Sequence, residues 1–139
     1  MTVLVDANAL LFALLAPDRL SAPARRILTD RACTLVWSVA STWEIVIKAR
    51  LGKVDLGGEV AAVLARELSA LGVRVLPVEQ AHALAVASLP SVSWADADGI
   101  PRRHADPFDR LLVAQALAEG LPVLSADEAL DRYGVQRIW

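Results

Sequence analysis

The chain has a single cysteine, Cys33. An internal disulfide and a zinc site built on thiolates are both excluded, and a reducing cytoplasm is the compartment that fits. No apolar run approaches the roughly 20 residues that span a bilayer, so no membrane partner is expected. The start of the chain carries neither a basic region nor a small-residue cleavage site, so no secretory leader is expected. Positive charge is also scarce. The net charge is −2 and the pI near 5.6, so no broad electropositive face is available to hold nucleic acid by its phosphates. Any such contact would be local.

What the chain does have is length and apolar residues. Its 139 residues, 55% hydrophobic and 22% charged, suit one domain with a full core, spanning 1–139. Repeats and low-complexity tracts are absent. Strand-like runs fall at Val3 to Val5, Cys33 to Trp37, Val73 to Pro77, Val123 to Ser125 and Gln136 to Ile138. Helical periodicity lies between them, at Ala7 to Leu15, Ala22 to Asp30, Ser41 to Leu51, Gly58 to Leu71, Glu79 to Leu89, Phe108 to Glu119 and Asp127 to Arg132. Short strands alternating with helices predict an α/β domain, a central parallel sheet of about five strands with helices on both faces. The stretch from Pro90 to His104 has no such pattern and is read as an irregular loop.

Four acids stand out by position. Asp6 and Asp127 follow strand runs, and Glu44 and Asp109 sit near helix starts. In an open parallel sheet such places converge on the crevice at the carboxyl ends of the strands. Each acid also has a structural account. Ser41 to Glu44 and Ser125 to Glu128 fit capping boxes, and Asp106 before Pro107 fits an N-cap that makes Asp109 a third-position acid. Lys48, four residues after Glu44, fits a helical ion pair. Two like charges 4 Å apart repel by about 4 kcal/mol at an effective dielectric of 20, so four gathered acids need a counter-ion. Oxygen ligands suit Mg2+, with Mn2+ as the alternative, and such an ion implies hydrolysis of a phosphodiester by an activated water.

The segments around these acids are Val3-Leu4-Val5-Asp6-Ala7-Asn8, Trp43-Glu44-Ile45-Val46-Ile47-Lys48 running to Leu51-Gly52-Lys53, His104-Ala105-Asp106-Pro107-Phe108-Asp109-Arg110 continuing to Ala116, and Leu124-Ser125-Ala126-Asp127. In this order they resemble the PIN domain and, within it, the VapC-type toxin ribonucleases of bacterial toxin–antitoxin pairs. The resemblance implies a Mg2+-dependent endoribonuclease with RNA as substrate, a VapB-type antitoxin as partner, and a homodimer. By position it makes Asp6 and Asp109 metal ligands, has Glu44 orient the attacking water or ligate the metal through water, and has Asp127 complete the pocket or support a second ion. Asn8 and Ser41 would be polar supports, with N-capping an equal account of both. Asp106 is read first as a cap.

Arg110 is read as an ion-pair partner within the fold, or as a neutraliser of the pocket or a phosphate contact. His104 is read as satisfying a backbone group or pairing with an acid such as Asp106. Trp37, Trp43 and Trp139 are read as core or interface, and Trp94 as either loop packing or a stacking platform. Residues 91–103 depart from the family pattern as an insertion of roughly ten residues. Asp96-Ala97-Asp98-Gly99 within it resembles the start of a calcium loop, but Pro101 and Pro107 occupy the positions where an EF-hand needs glycine and glutamate. Two other functions are compatible with the sequence: a PIN-like RNA-binding module without catalysis, and a metal-dependent phosphohydrolase acting on a small substrate.

Overall fold

Alternation along each strand decides the architecture. In β1 (Thr2–Val5), Val3 and Val5 join one apolar cluster while Leu4 joins another, and in β2 (Thr34–Ser38) Leu35 and Trp37 part from Val36 in the same way. Successive side chains leave a strand on opposite faces, so the sheet is covered on both sides and its strands read as continuous apolar runs. The computed structural model describes residues 1–139.

The main sheet has five strands in the order β3-β2-β1-β6-β7, with β3 at Arg74–Leu76, β6 at Val123–Leu124 and β7 at Arg137–Ile138. Every pairing is parallel, with Val3 opposite Leu35, Trp37 opposite Val75, Val5 opposite Leu124 and Leu124 opposite Ile138. The fold class and the five strands match the sequence expectation. The strand order reverses beside β1, the first strand laid down, so the carboxyl ends of β1 and β6 face the crevice where α/β sheets bind ligands.

Six α-helices fill the connections: α1 (Ala7–Leu15), α2 (Ala22–Thr29), α3 (Val39–Arg50), α4 (Val60–Leu71), α5 (Gln80–Ala85) and α6 (Pro107–Glu119). Leu10, Ile27, Ile45 and Leu64 bring α1 to α4 onto one face of the sheet, and Leu112, Val113 and Ala116 bring α6 onto the other. Truncating a side chain as enclosed as Leu4 would cost about 2–5 kcal/mol. Gly72 and Gly120 close α4 and α6 in the left-handed conformation, at φ 63° and 65°, where a side chain would be strained.

Four local readings need correction. First, α3 starts at Val39, because the Ser38 hydroxyl at the end of β2 accepts from Ala40 N at 3.0 Å and caps it. Strand passes into helix without a loop, so Ser41 caps nothing and Glu44 lies in the second turn. Second, Asp127 is itself the cap of a 3-10 helix, Glu128–Tyr133, and accepts from Ala129 N. Third, the segment read as an irregular loop is a two-stranded antiparallel hairpin, β4 (Val92–Ala95) with β5 (Pro101–His104). Its turn is fixed by Asp96, whose carboxylate accepts from Asp98 N and Ile100 N and pairs with Arg102. The predicted helix Glu79 to Leu89 is shorter, ending at Ala85 before a 3-10 turn at Val86–Ser88. No helix is long and apolar enough to cross a membrane.

Candidate active site

Asp6 is the first residue after β1 and the N-cap of α1. That double position explains its burial: only 2% of it is exposed. Asn8 N donates to Oδ1 at 3.4 Å, and the Ser125 hydroxyl donates to Oδ2 at 2.7 Å. Burial dominates over these donors, and with help from the Glu44 charge it pushes the Asp6 carboxyl up to about 6.

Glu44 reaches the same edge from α3, nearly buried, and pairs with Lys48 at 2.7 Å one turn along. The helical ion pair read from the sequence therefore exists. Lys48 also donates to Asn8 Oδ1 at 3.3 Å, so Asn8 holds the cation that faces Glu44. Ser41 is buried in α3, on its first turn.

Asp109 stands in the first turn of α6. Asp106 caps that helix by accepting from Phe108 N at 2.8 Å and Asp109 N at 3.1 Å. The Asp109 carboxyl is pushed up to about 8, first by burial and then by the charges of Asp6, Asp106, Glu44 and Asp127. That set of neighbours is the telling feature. Asp6, Glu44 and Asp127, spread from residue 6 to 127, all lie within electrostatic reach of Asp109, at a cost that a proton or a cation relieves.

His104 lies against this cluster. Its Nε2 lies 3.1 Å from Asp109 Oδ2 and 3.4 Å from Asp127 Oδ2, and its Nδ1 lies 2.7 Å from the Tyr133 hydroxyl. The acid expected beside it, Asp106, is not its partner, because that carboxylate is turned to the start of α6. The hairpin explains the difference. With β5 paired to β4, His104 ends a strand that delivers it to the cluster; an irregular loop gives no such direction. Tyr133 is the residue that the sequence reading missed. It accepts from Arg110 Nη1 at 3.2 Å and packs edge-on against the His104 ring. A tyrosine closing a short 3-10 helix carries no spacing signal.

Arg110 makes no ion pair. It donates to Pro90 O at 3.1 Å, to Leu89 O and to Tyr133, clasping the base of the hairpin to α6. Trp43 is exposed over 61% of its surface and meets Phe108 edge-on, so it is not a core residue, whereas Trp37 is fully buried. His104, Asp109 and Asp127 together present donor atoms within 4.8 Å of one another, a spacing that suits one ion. A nitrogen donor thus joins a set expected to be all oxygen. The residues fit a divalent cation: the Asp6 and Asp109 carboxyls are raised and no arginine pairs directly with any of the four acids.

The chain matches the model of the PIN domain over residues 3–136. It belongs to the PIN domain family.

Solved structures place the same fold around similar PIN chains. VapBC2 from Rickettsia felis, bound to a DNA fragment from its promoter, superposes with a TM-score of 0.68 at 13% identity, covering 99% of this chain and 98% of that one. VapBC-1 from nontypeable Haemophilus influenzae gives 0.63 at 20% identity, over 99% and 97%. FitAcB from Neisseria gonorrhoeae gives 0.58 at 22%, over 100% and 97%. At these identities the likeness is one of fold. No curated protein sequence matches the chain.

Proposed function

We propose that this PIN domain is a Mg2+-dependent endoribonuclease, the toxin of a VapC-type toxin–antitoxin pair acting in the cytoplasm. The observation that carries the reading is the Asp109 carboxyl held up at about 8 by burial and four neighbouring acids. Acids gathered this closely suit a divalent cation, and Mn2+ is the alternative to Mg2+ because of the His104 nitrogen.

Asp6 and Asp109 hold the metal, with Asp127 and His104 beside it. The bound ion supplies a water of lowered pKa and offsets charge on the scissile phosphate. Glu44, held by Lys48, would orient that water. Asn8 fixes Lys48, Ser41 and Asp106 support the helices that carry Glu44 and Asp109, and Arg110 keeps the hairpin in place. RNA as the substrate rests on the resemblance of the four acidic segments to the VapC-type toxin ribonucleases.

The partner is a VapB-type antitoxin. A groove lined by Leu11, Phe12, Leu15 and Val54 together with Arg19, Lys48 and Lys53 suits an apolar segment flanked by acidic side chains. A homodimer would use the apolar surface around Val39, Trp43, Val78 and Leu111. Purified protein should cut total cellular RNA at discrete positions with Mg2+. It should cut nothing with EDTA or as Asp6→Asn; cleavage that survives both controls defeats the reading.

A further inference from the structure

The hairpin does more than deliver His104. Side chains two apart on a strand share a face, and the register sets Val92 opposite His104 and Trp94 opposite Arg102. Val92 is buried and Trp94 half-buried against the core, so this is the inward face. Trp94 therefore lies on the same face of the hairpin as Val92, the residue paired with His104.

It faces a cleft of about 470 Å3 lined by Trp94, Asp127, Glu128, Ala129, Asp131 and Arg132, large enough for a nucleobase. Asp127 belongs to both the cleft and the acidic cluster, so an occupant of the cleft is adjacent to the scissile phosphate. Arg132 Cζ lies 5.3 Å from the Trp94 ring centroid, so the guanidinium rests on the ring face toward the cleft and swings aside to admit a base. Asp131 is spent on Arg137, at 2.9 and 3.0 Å. Glu128 is exposed and has no protein hydrogen-bond partner, so it is the free acceptor.

We propose that this cleft is a base-binding subsite for single-stranded RNA, with Trp94 as the stacking platform and guanine the preferred base. The proposal rests on the ribonuclease reading and adds its specificity. Stacking is indifferent to sequence, so the choice falls to Glu128 and Arg132. Guanine presents two adjacent N–H donors that a carboxylate accepts together, and O6 and N7 acceptors that a guanidinium reads. Uracil sets two carbonyls around its single N–H, and Glu128 repels both.

The test is fluorescence anisotropy with labelled RNA pentamers UUGUU, UUAUU, UUCUU and UUUUU, bound to the intact chain in EDTA so that nothing is cut. Wild type should bind UUGUU about tenfold tighter than UUUUU. Trp94→Ala should weaken all four by about tenfold, and Trp94→Phe should restore them. Because Trp94 also packs on the core, the exposed Glu128→Gln variant is the second arm. It should bind UUUUU at least as well as wild type does, because the repulsion of the uracil carbonyls is gone, while its preference for UUGUU falls below twofold. Unchanged preference in Glu128→Gln, or unchanged affinity in Trp94→Ala, overturns the subsite. If wild type binds no pentamer yet cuts total RNA, the subsite alone fails; if it does neither, the ribonuclease reading fails as well.

Discussion

The Ser125 hydroxyl donates a 2.7 Å hydrogen bond to Asp6 across 119 positions of sequence. The same oxygen accepts from Asp127 N at 3.1 Å, so one buried hydroxyl ties together the acids at the ends of two adjacent strands. It is also the largest influence holding the Asp6 carboxyl down against burial. Ser125→Ala should let that carboxyl rise above about 6, so less of it is ionised at neutral pH. The acid limb of kcat/KM against pH should move up by about one unit, with a rate loss of about tenfold at pH 7. An acid limb that stays in place would show that Ser125 only supports the turn.

Asp109 makes a stability prediction of definite sign. Its folded carboxyl titrates near 8 against an unfolded value of 3.8, so the folded state keeps a proton that the unfolded chain has lost. The metal-free protein should therefore be at full stability below about 3.8 and lose stability as pH rises through about 8. Asp109→Asn removes that penalty. Without metal at pH 8 the variant should be more stable than wild type by about 1–2 kcal/mol, roughly 4–8 °C in Tm, though inactive. Thermal melts across the pH range check this, and equal melting of the two proteins at pH 8 would contradict it.

His104 offers the only nitrogen among the donors. His104→Phe keeps a ring against Tyr133 and removes the ligand. Mn2+ affinity, followed by the loss of its free electron-spin resonance signal, should drop about tenfold, and Mg2+ affinity less, because imidazole favours the softer ion. Equal losses for both ions would place His104 outside the coordination.

Gln115 is wholly buried in α6 and bridges two other elements, accepting from the Ser38 hydroxyl and donating to Pro77 O at 3.1 Å. Gln115→Leu strands both partners and should cost about 1–3 kcal/mol in urea unfolding, with the m-value unchanged. A neutral substitution would mean that water replaces the amide.

The sheet was legible because each strand is a short apolar run bounded by turn residues, and the positions of the four acids follow from the topology that those runs imply. Capping was less so. Ser38 and Ser41 are equally good candidates on paper, and only the direct passage of β2 into α3 selects the first. The hairpin was hidden because Asp96 and Gly99 build its turn from residues that also mark loops, and β5 opens on Pro101 followed by two arginines, with no apolar alternation. His104 and Tyr133 depended on that hairpin and on a 3-10 helix, so their meeting could not be read from spacing.

The central claim is that the gathered acids form a cation site, and proton release on binding tests it most directly. At pH 7 an Asp109 carboxyl near 8 is mostly protonated and Asp6 near 6 is mostly ionised, so a bound ion must expel about one proton. Titration calorimetry with Mn2+ in buffers of different ionisation enthalpy should give that value for wild type and close to zero for Asp109→Asn. Binding without proton release, or no binding at all, would contradict the account.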